Sequence, residues 1–175
     1  MSNDYIYDIE TYPNVFTLAL EHAEAPLHWM FEISDLRNDS REIVAFLQYL
    51  ADTNSRMVGF NNLGFDYPVI HTLIRMGYSD ARTLYDKAMA IIGAQDDDNK
   101  WMHQVNPTDR YVQQIDLFKI HHFDNKARAT SLKVLEFNMR SGSIQDLPFP
   151  VGTSLSPEQI TLLKVYTKHD VAQTK

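Results

Sequence analysis

Five residues stand at spacings that could do chemistry. Asp8 and Glu10 are two apart in Asp4-Tyr-Ile-Tyr-Asp-Ile-Glu10, Asp66 closes Asn62-Leu63-Gly64-Phe65-Asp66, and Tyr166 precedes Asp170 by four. On a strand, a spacing of two puts both side chains on one face. Ile6 shares the parity of Asp8, so that face is expected to turn toward the interior. Two acids at the end of a buried face repel each other unless a cation sits between them. On a helix, a spacing of four stacks Tyr166 on Asp170, and Leu163 makes their stripe partly buried. Asp66 falls near a helix start, where an ordinary role is to cap the helix or complement its dipole. Taken singly, each of these patterns has such a structural reading.

The surrounding sequence indicates the elements that must position them. Residues 4–9 and 14–21 are rich in β-branched and aromatic residues and read as strands joined by a turn through Tyr12-Pro13-Asn14. A third strand over 27–33 would complete an antiparallel meander. Asp39 with Glu42 forms a capping-box pattern before Ile43, Val44, Phe46, Leu47 and Leu50, which follow helical spacing. Residues 56–60 read as a buried strand, and 65–76 as a helix stopped by Gly77. A second helix is expected over 79–92, then a long polar loop over 94–109 that includes Asp96-Asp97-Asp98. Residues 111–118 alternate like a strand, and Thr130 or Ser131 can cap a short helix through Phe137. Ser156-Pro157-Glu158-Gln159 is the clearest helix start, opening a helix that runs to the end. The sum is a mixed α/β domain.

Composition narrows the function classes. At 175 residues the chain is one domain's length, and 44% apolar with 22% charged residues suits a globular protein. No apolar run reaches membrane-spanning length, the N-terminus carries no signal-peptide pattern, and the absence of cysteine removes thiolate and disulfide chemistry. A cytoplasmic setting is expected. The net charge of −7 is unusual for a protein that grips duplex DNA alone. Either nucleic acid is not the ligand, or the acidity marks a cation site and another domain supplies the phosphate grip.

Taken as an ordered set, the acids resemble a known family. Asp8-Ile9-Glu10-Thr11, Asn62-Leu63-Gly64-Phe65-Asp66 and Tyr166-Thr167-Lys168-His169-Asp170 are similar to the three motifs of the DEDDy-type 3′→5′ exonucleases, most of all the proofreading domain of family-B phage DNA polymerases. The histidine-bearing subtype would carry histidine five residues before the last acid, where this chain has Val165. The resemblance implies a ribonuclease H-like α/β fold, an antiparallel meander plus parallel strands flanked by helices. It implies that residues 1–175 are a single exonuclease domain, the N-terminal part of a longer polymerase. Its substrate would be a single-stranded DNA 3′ end. A polymerase domain in cis or in trans would supply the basic grip, in the host cytoplasm if the chain is phage-encoded.

The resemblance also implies two Mg²⁺ or Mn²⁺ ions, hard cations that favour carboxylate oxygens. Asp8 would bridge them, Glu10 and Asp170 would complete the ion on the nucleophile side, and Asp66 would act through water at the other. Tyr166 would orient the attacking water. Thr11, Asn62 and Phe65 match positions that hold the terminal nucleotides, Phe65 by stacking or, equally, as plain core. Ser131-Leu132-Lys133-Val134-Leu135 matches the family's Ser/Thr-Leu-x-x-hydrophobic DNA-binding motif, while Asp116-Leu117-Phe118-Lys119 holds a comparable strand-end place. Lys133 and Arg140 are candidates for the family's extra catalytic lysine. Of His121-His122 one is expected to be packed and one solvated, and Asp96–Asp98 reads as a solvated loop tip; the basic stretch of Lys119, Lys126, Arg128 and Lys133 reads either as a phosphate contact or as hydrated surface. Competing expectations are a free-standing DNA or RNA exonuclease and a non-catalytic binding module; retention of all four acids and the tyrosine disfavours the module.

Overall fold

In strand β1, Asp4–Tyr12, residues of both parities are buried, so a central position in a sheet follows. Tyr5, Tyr7 and Ile9 join one large apolar cluster, and Ile6 on the other face packs with Ala19, Val58 and Val171. The computed structural model describes residues 3–94, 100–121 and 148–175. Around β1 lie β2 (Val15–His22), β3 (His28–Ser34), β4 (Arg56–Gly59) and β5 (Gln113–Asp116), in the order β3-β2-β1-β4-β5. The first three strands form an antiparallel meander, and β4 and β5 run parallel to β1. This mixed sheet flanked by helices is the ribonuclease H-like α/β arrangement.

Register matters at the end of β1. Its pairing with β4 stops at Ile6↔Val58, while its pairing with β2 continues through Asp8↔Ala19 and Glu10↔Thr17 to Tyr12↔Val15. Beyond Ile6, one flank of the β1 backbone is therefore open to groups other than a strand.

Helices cover both faces. On one side, α1 (Ser40–Asp52), α2 (Asp66–Met76) and α3 (Ala81–Gly93) contribute Ile43, Leu47, Leu50, Ile70, Leu73, Leu84 and Ala88 to the large cluster. Each fully buried large aliphatic side chain stabilises by about 1.5–3 kcal/mol. A short helix, α4 (Leu117–His121), follows β5, and α5 (Pro157–Thr174) lies across β1 and β2 on the opposite face. Among the described residues no helix is long and apolar enough to cross a membrane.

Most expected elements are present, with instructive departures. The Asp39–Glu42 capping box does not form. Asp39 is buried, and its carboxylate accepts from the Glu32 backbone N–H at 2.9 Å and from Arg37 Nε at 2.6 Å, so a β3 contact has claimed the cap. Asn38 Oδ1 instead accepts from Ser40 N at 3.0 Å. Gly77 does stop α2, with φ of 71° in the left-handed region. Among the described residues of 94–109 the chain forms two 3₁₀ turns, Lys100–His103 and Pro107–Asp109. The strand expected to reach 118 ends at Asp116, whose carboxylate accepts from Phe118 N at 3.0 Å and starts α4. Asp96–Asp98 and the helix expected near 130–137 lie outside the described residues.

The start of α5 is the firmest local match. Ser156 Oγ accepts from Gln159 N at 3.3 Å, and Gln159 Oε1 accepts from Ser156 N at 2.8 Å, completing a capping box with Pro157 behind it. The β1–β2 hairpin clamps this end: Asn14 Nδ2 donates to Leu155 O at 2.9 Å, Leu155 N donates to Asn14 Oδ1 at 2.8 Å, and the Tyr12 hydroxyl donates to Phe149 O at 2.8 Å. Replacing Ser156 by alanine is expected to cost about 1 kcal/mol of unfolding free energy. A shift in urea midpoint measures this, and an unchanged midpoint would show that the hairpin clamp alone sets the helix.

Candidate metal centre

Strand parity and helix pitch bring the chemistry-bearing residues together. Asp8 and Glu10 project from β1 toward α5, in the row between Ile6 and the buried Tyr12. From α5 the buried residues Leu163, Tyr166, Thr167, Asp170 and Val171 face the sheet. Thr167 Oγ1 lies 3.0 Å from Thr17 Oγ1 in a buried contact, which fixes the helix over the β1–β2 pair. One carboxylate oxygen each from Asp8, Glu10 and Asp170 then falls within 4.8 Å of the other two. Residues from opposite ends of the sequence thus form one acidic focus.

Tyr166 belongs to the same focus. It is 6% exposed, and its phenol is pushed far above the ordinary range, first by burial and then by the charges of Asp170, Glu10 and Asp8. It is also hydrogen-bonded to Asp170. These causes keep the phenol protonated at neutral pH, as a hydrogen-bond donor.

Asp66 arrives from the other layer. It is the first residue of α2, 6% exposed, and it stands outside the group of three. Its Oδ1 accepts from the Ile9 backbone N–H at 3.3 Å, on the flank of β1 that β4 leaves open. Its carboxyl is pushed up to about 7, chiefly by burial, with the bonds from Ile9 N–H and its own N–H opposing and Asp116 adding to the rise. The N-cap of α2 is Phe65, and Asp66 is the acidic residue of the first turn, bonded to its own N–H as well as to Ile9.

The remaining expected residues separate. Asn62 is fully buried: its Nδ2 donates to Gln114 Oε1 at 3.0 Å, and the same oxygen accepts from the Tyr7 hydroxyl at 2.8 Å. As placed it braces the turn from inside and does not face solvent. Gly59 makes this possible, since a Cβ there would lie 2.8 Å from Asn62 Cβ. Phe65 is half-buried against the large cluster, and Thr11 is half-buried near the end of β1. Ser131, Leu132, Lys133 and Arg140 lie outside the described residues. Asp116-Leu117-Phe118-Lys119 sits at the β5–α4 junction, with Phe118 edge-on to Phe60 at 5.5 Å between ring centres. Gln114 and Thr17 were not singled out from sequence. Nothing in their local pattern marks them, because their roles depend on partners 52 and 150 residues away.

The raised carboxyl of Asp66 has a consequence for the metal-free chain. Its folded-state value near 7 lies above the ordinary carboxylate value of roughly 4, so its contribution is fully present below about pH 4 and is lost as pH rises through 7. The loss amounts to as much as about 4 kcal/mol. In EDTA, the wild-type urea midpoint is expected to fall between pH 4.5 and 7.5 more steeply than that of Asp66→Asn. Parallel profiles would contradict this assignment.

No family model matches the chain, and no curated protein matches it. Among solved structures, the zinc-bound form of the E. coli exonuclease I–single-stranded DNA complex is similar to it. The likeness covers 99% of this chain and 40% of that one, at 12% identity and a TM-score of 0.39. The chain spans less than half of that protein's length, and a likeness this distant assigns it neither a family nor an activity.

Proposed function

We propose that the chain is a metal-dependent 3′→5′ exonuclease that shortens single-stranded DNA ends, and that it is the proofreading portion of a phage DNA polymerase. The observation that carries this reading is the meeting of Asp8, Glu10 and Asp170 within 4.8 Å, with Tyr166 beside them. The order of their motifs resembles that of the DEDDy exonucleases, from which the polarity and the polymerase setting are taken.

The donor set fits a hard divalent ion. Oxygens that share one Mg²⁺ at about 2.1 Å are at most about 4.2 Å apart, so a grouping within 4.8 Å needs at most a small closure. All-oxygen donors suit Mg²⁺ or Mn²⁺ and lack the nitrogen or sulfur ligands typical of a structural zinc site. A pair of such ions would lower the pKa of water and neutralise charge on a departing 3′-oxygen. Asp8, Glu10 and Asp170 would hold the metal, with Asp66 as the fourth acid. Tyr166 would donate to the water and aim it, consistent with its raised phenol pKa. Thr11 and Phe65, both partly exposed, would meet the terminal nucleotides. Ser131 and Leu132 are proposed for the strand on the motif match alone. The net charge of −7 accords with a polymerase domain supplying phosphate contacts, in cis or in trans.

The test is stepwise shortening of 5′-labelled DNA and RNA oligonucleotides with Mg²⁺, Mn²⁺ or EDTA. Wild type is expected to make a ladder from the DNA 3′ end that EDTA abolishes. Asp8→Ala should slow it by roughly 10³-fold or more, and Tyr166→Phe by about 10²-fold. Absence of a ladder, or one that Asp8→Ala leaves intact, refutes the nuclease reading. A ladder on RNA alone refutes the polymerase assignment, and attack from 5′ ends refutes the polarity.

A further inference from the structure

One buried carboxylate outside the four acids makes three hydrogen bonds to main chain. Asp116, 5% exposed at the end of β5, accepts from Asn61 N at 2.9 Å and Phe118 N at 3.0 Å through Oδ1, and from Leu63 N at 3.2 Å through Oδ2. Two of these donors belong to the turn between β4 and Asp66. That turn has one left-handed residue, and its other bonds run within itself, to Tyr67 of α2 and from Asn62 Nδ2 to Gln114. Asn61 has φ of 58°, its carbonyl accepts from Gly64 N at 3.0 Å and Phe65 N at 3.2 Å, and the Asn62 carbonyl accepts from Tyr67 N at 2.8 Å. After glycine, asparagine is the residue that adopts left-handed backbone most readily, and surrounding bonds hold it there.

We propose that Asp116 is a positioning residue for the catalytic site, pinning the 61–63 turn so that Asp66 is delivered to the open flank of β1. The inference rests on the nuclease reading of that site for its catalytic consequence, though not for its structural one. The register explains why this residue can do it. Asp116 pairs with Gly59, the last residue of β4, so its carboxylate stands where the chain leaves β4 and turns. The path from Asp116 to the site is short and named: Asp116 to Asn61 and Leu63, through Phe65 to Asp66, and from Asp66 Oδ1 to Ile9 N–H between the two acids of β1.

The chemistry of the side chain is specific. Three N–H donors need an acceptor with two oxygens, which an ionised carboxylate provides. An asparagine offers one oxygen, and its NH₂ would face an N–H with nothing to accept it. A glutamate keeps both oxygens and the charge but moves them by one methylene. Asp116 touches the turn only by main-chain donors, so the identities of Asn61 and Leu63 are not what it reads.

Amide hydrogen exchange on the full chain, followed residue by residue, tests the structural claim without requiring activity. Asp116→Asn is expected to lower protection at Asn61 and Leu63 and also at Ile9, each by about tenfold or more, while β2 amides stay unchanged. Asp66→Ala should lower protection at Ile9 alone. Should Asp116→Asn fail to fold, Asp116→Glu is read in its place. Unchanged protection at Ile9 in the folded variant overturns the proposal, since the carboxylate would then brace the turn without reaching Asp66.

The catalytic arm uses the oligonucleotide ladder and a double-mutant cycle. Asp116→Asn is expected to lower kcat about 10²-fold with little change in KM. Asp66→Ala/Asp116→Asn should be no more than about twofold slower than Asp66→Ala, because the second change has nothing left to displace. A doubly substituted chain slowed by the full product of the single effects overturns the proposal. Inactivity of the wild type instead sinks the nuclease reading, and the exchange result at Ile9 then decides the positioning claim on its own.

Discussion

Three carboxylates within 4.8 Å repel one another, and the structure is arranged to hold them there. At about 4 Å two unit charges interact with roughly 4 kcal/mol in a partly buried setting, so such a focus relaxes apart unless its supports are rigid or a cation intervenes. The supports are visible. Asp8 and Glu10 are fixed on a strand paired to β2 along its whole length. Asp170 rides on a helix fastened at both ends of its contact with the sheet, by the Asn14–Leu155 and Tyr12–Phe149 bonds at the start and by the Thr17–Thr167 contact and Val171 packing further on. The capping box sets where that helix begins, and helix pitch does the rest.

The fourth acid obeys a different logic. Asp66 comes from the helical layer behind the sheet and reaches the β1 backbone at Ile9, where β1 has run past its pairing with β4. A parallel strand ending early leaves backbone donors on its neighbour, and buried donors must find acceptors. Asp66 answers one of them at Ile9. The interior bracing of the same corner falls to Tyr7, Gln114 and Asn62, and the outer bracing to Asp116. Burial that secures Asp66 also raises its proton affinity, so geometry and ionisation at this corner are coupled.

How much of this was readable beforehand follows from the range of each interaction. The pairing of Asp8 with Glu10 and the inward turn of their face were legible, because strand parity is local and Ile6 reported which way the face points. The start of α5 was legible for the same reason: Ser156, Pro157 and Gln159 act on each other within one turn. Asp39 and Glu42 carried an equally good local pattern that failed, since the β3 backbone and Arg37 compete for the Asp39 carboxylate. Asn62 matched by motif a position that holds the terminal nucleotides and is buried, because nothing nearby in sequence announces Gln114 or the space left by Gly59. Asp116 was seen only as part of a strand end. Its role appears once β5 pairs with β4 and sets it beside Gly59.

The proposed chemistry requires a divalent cation held between Asp8, Glu10 and Asp170. Equilibrium Mn²⁺ binding, followed by the electron paramagnetic resonance signal of the free ion, tests it directly in wild type and in folded Asp8→Asn and Asp170→Asn variants. Saturable binding by the wild type, weakened by well over about tenfold in each variant, is the predicted result. The same isotherm in all three proteins, or no saturable binding in any of them, would contradict it.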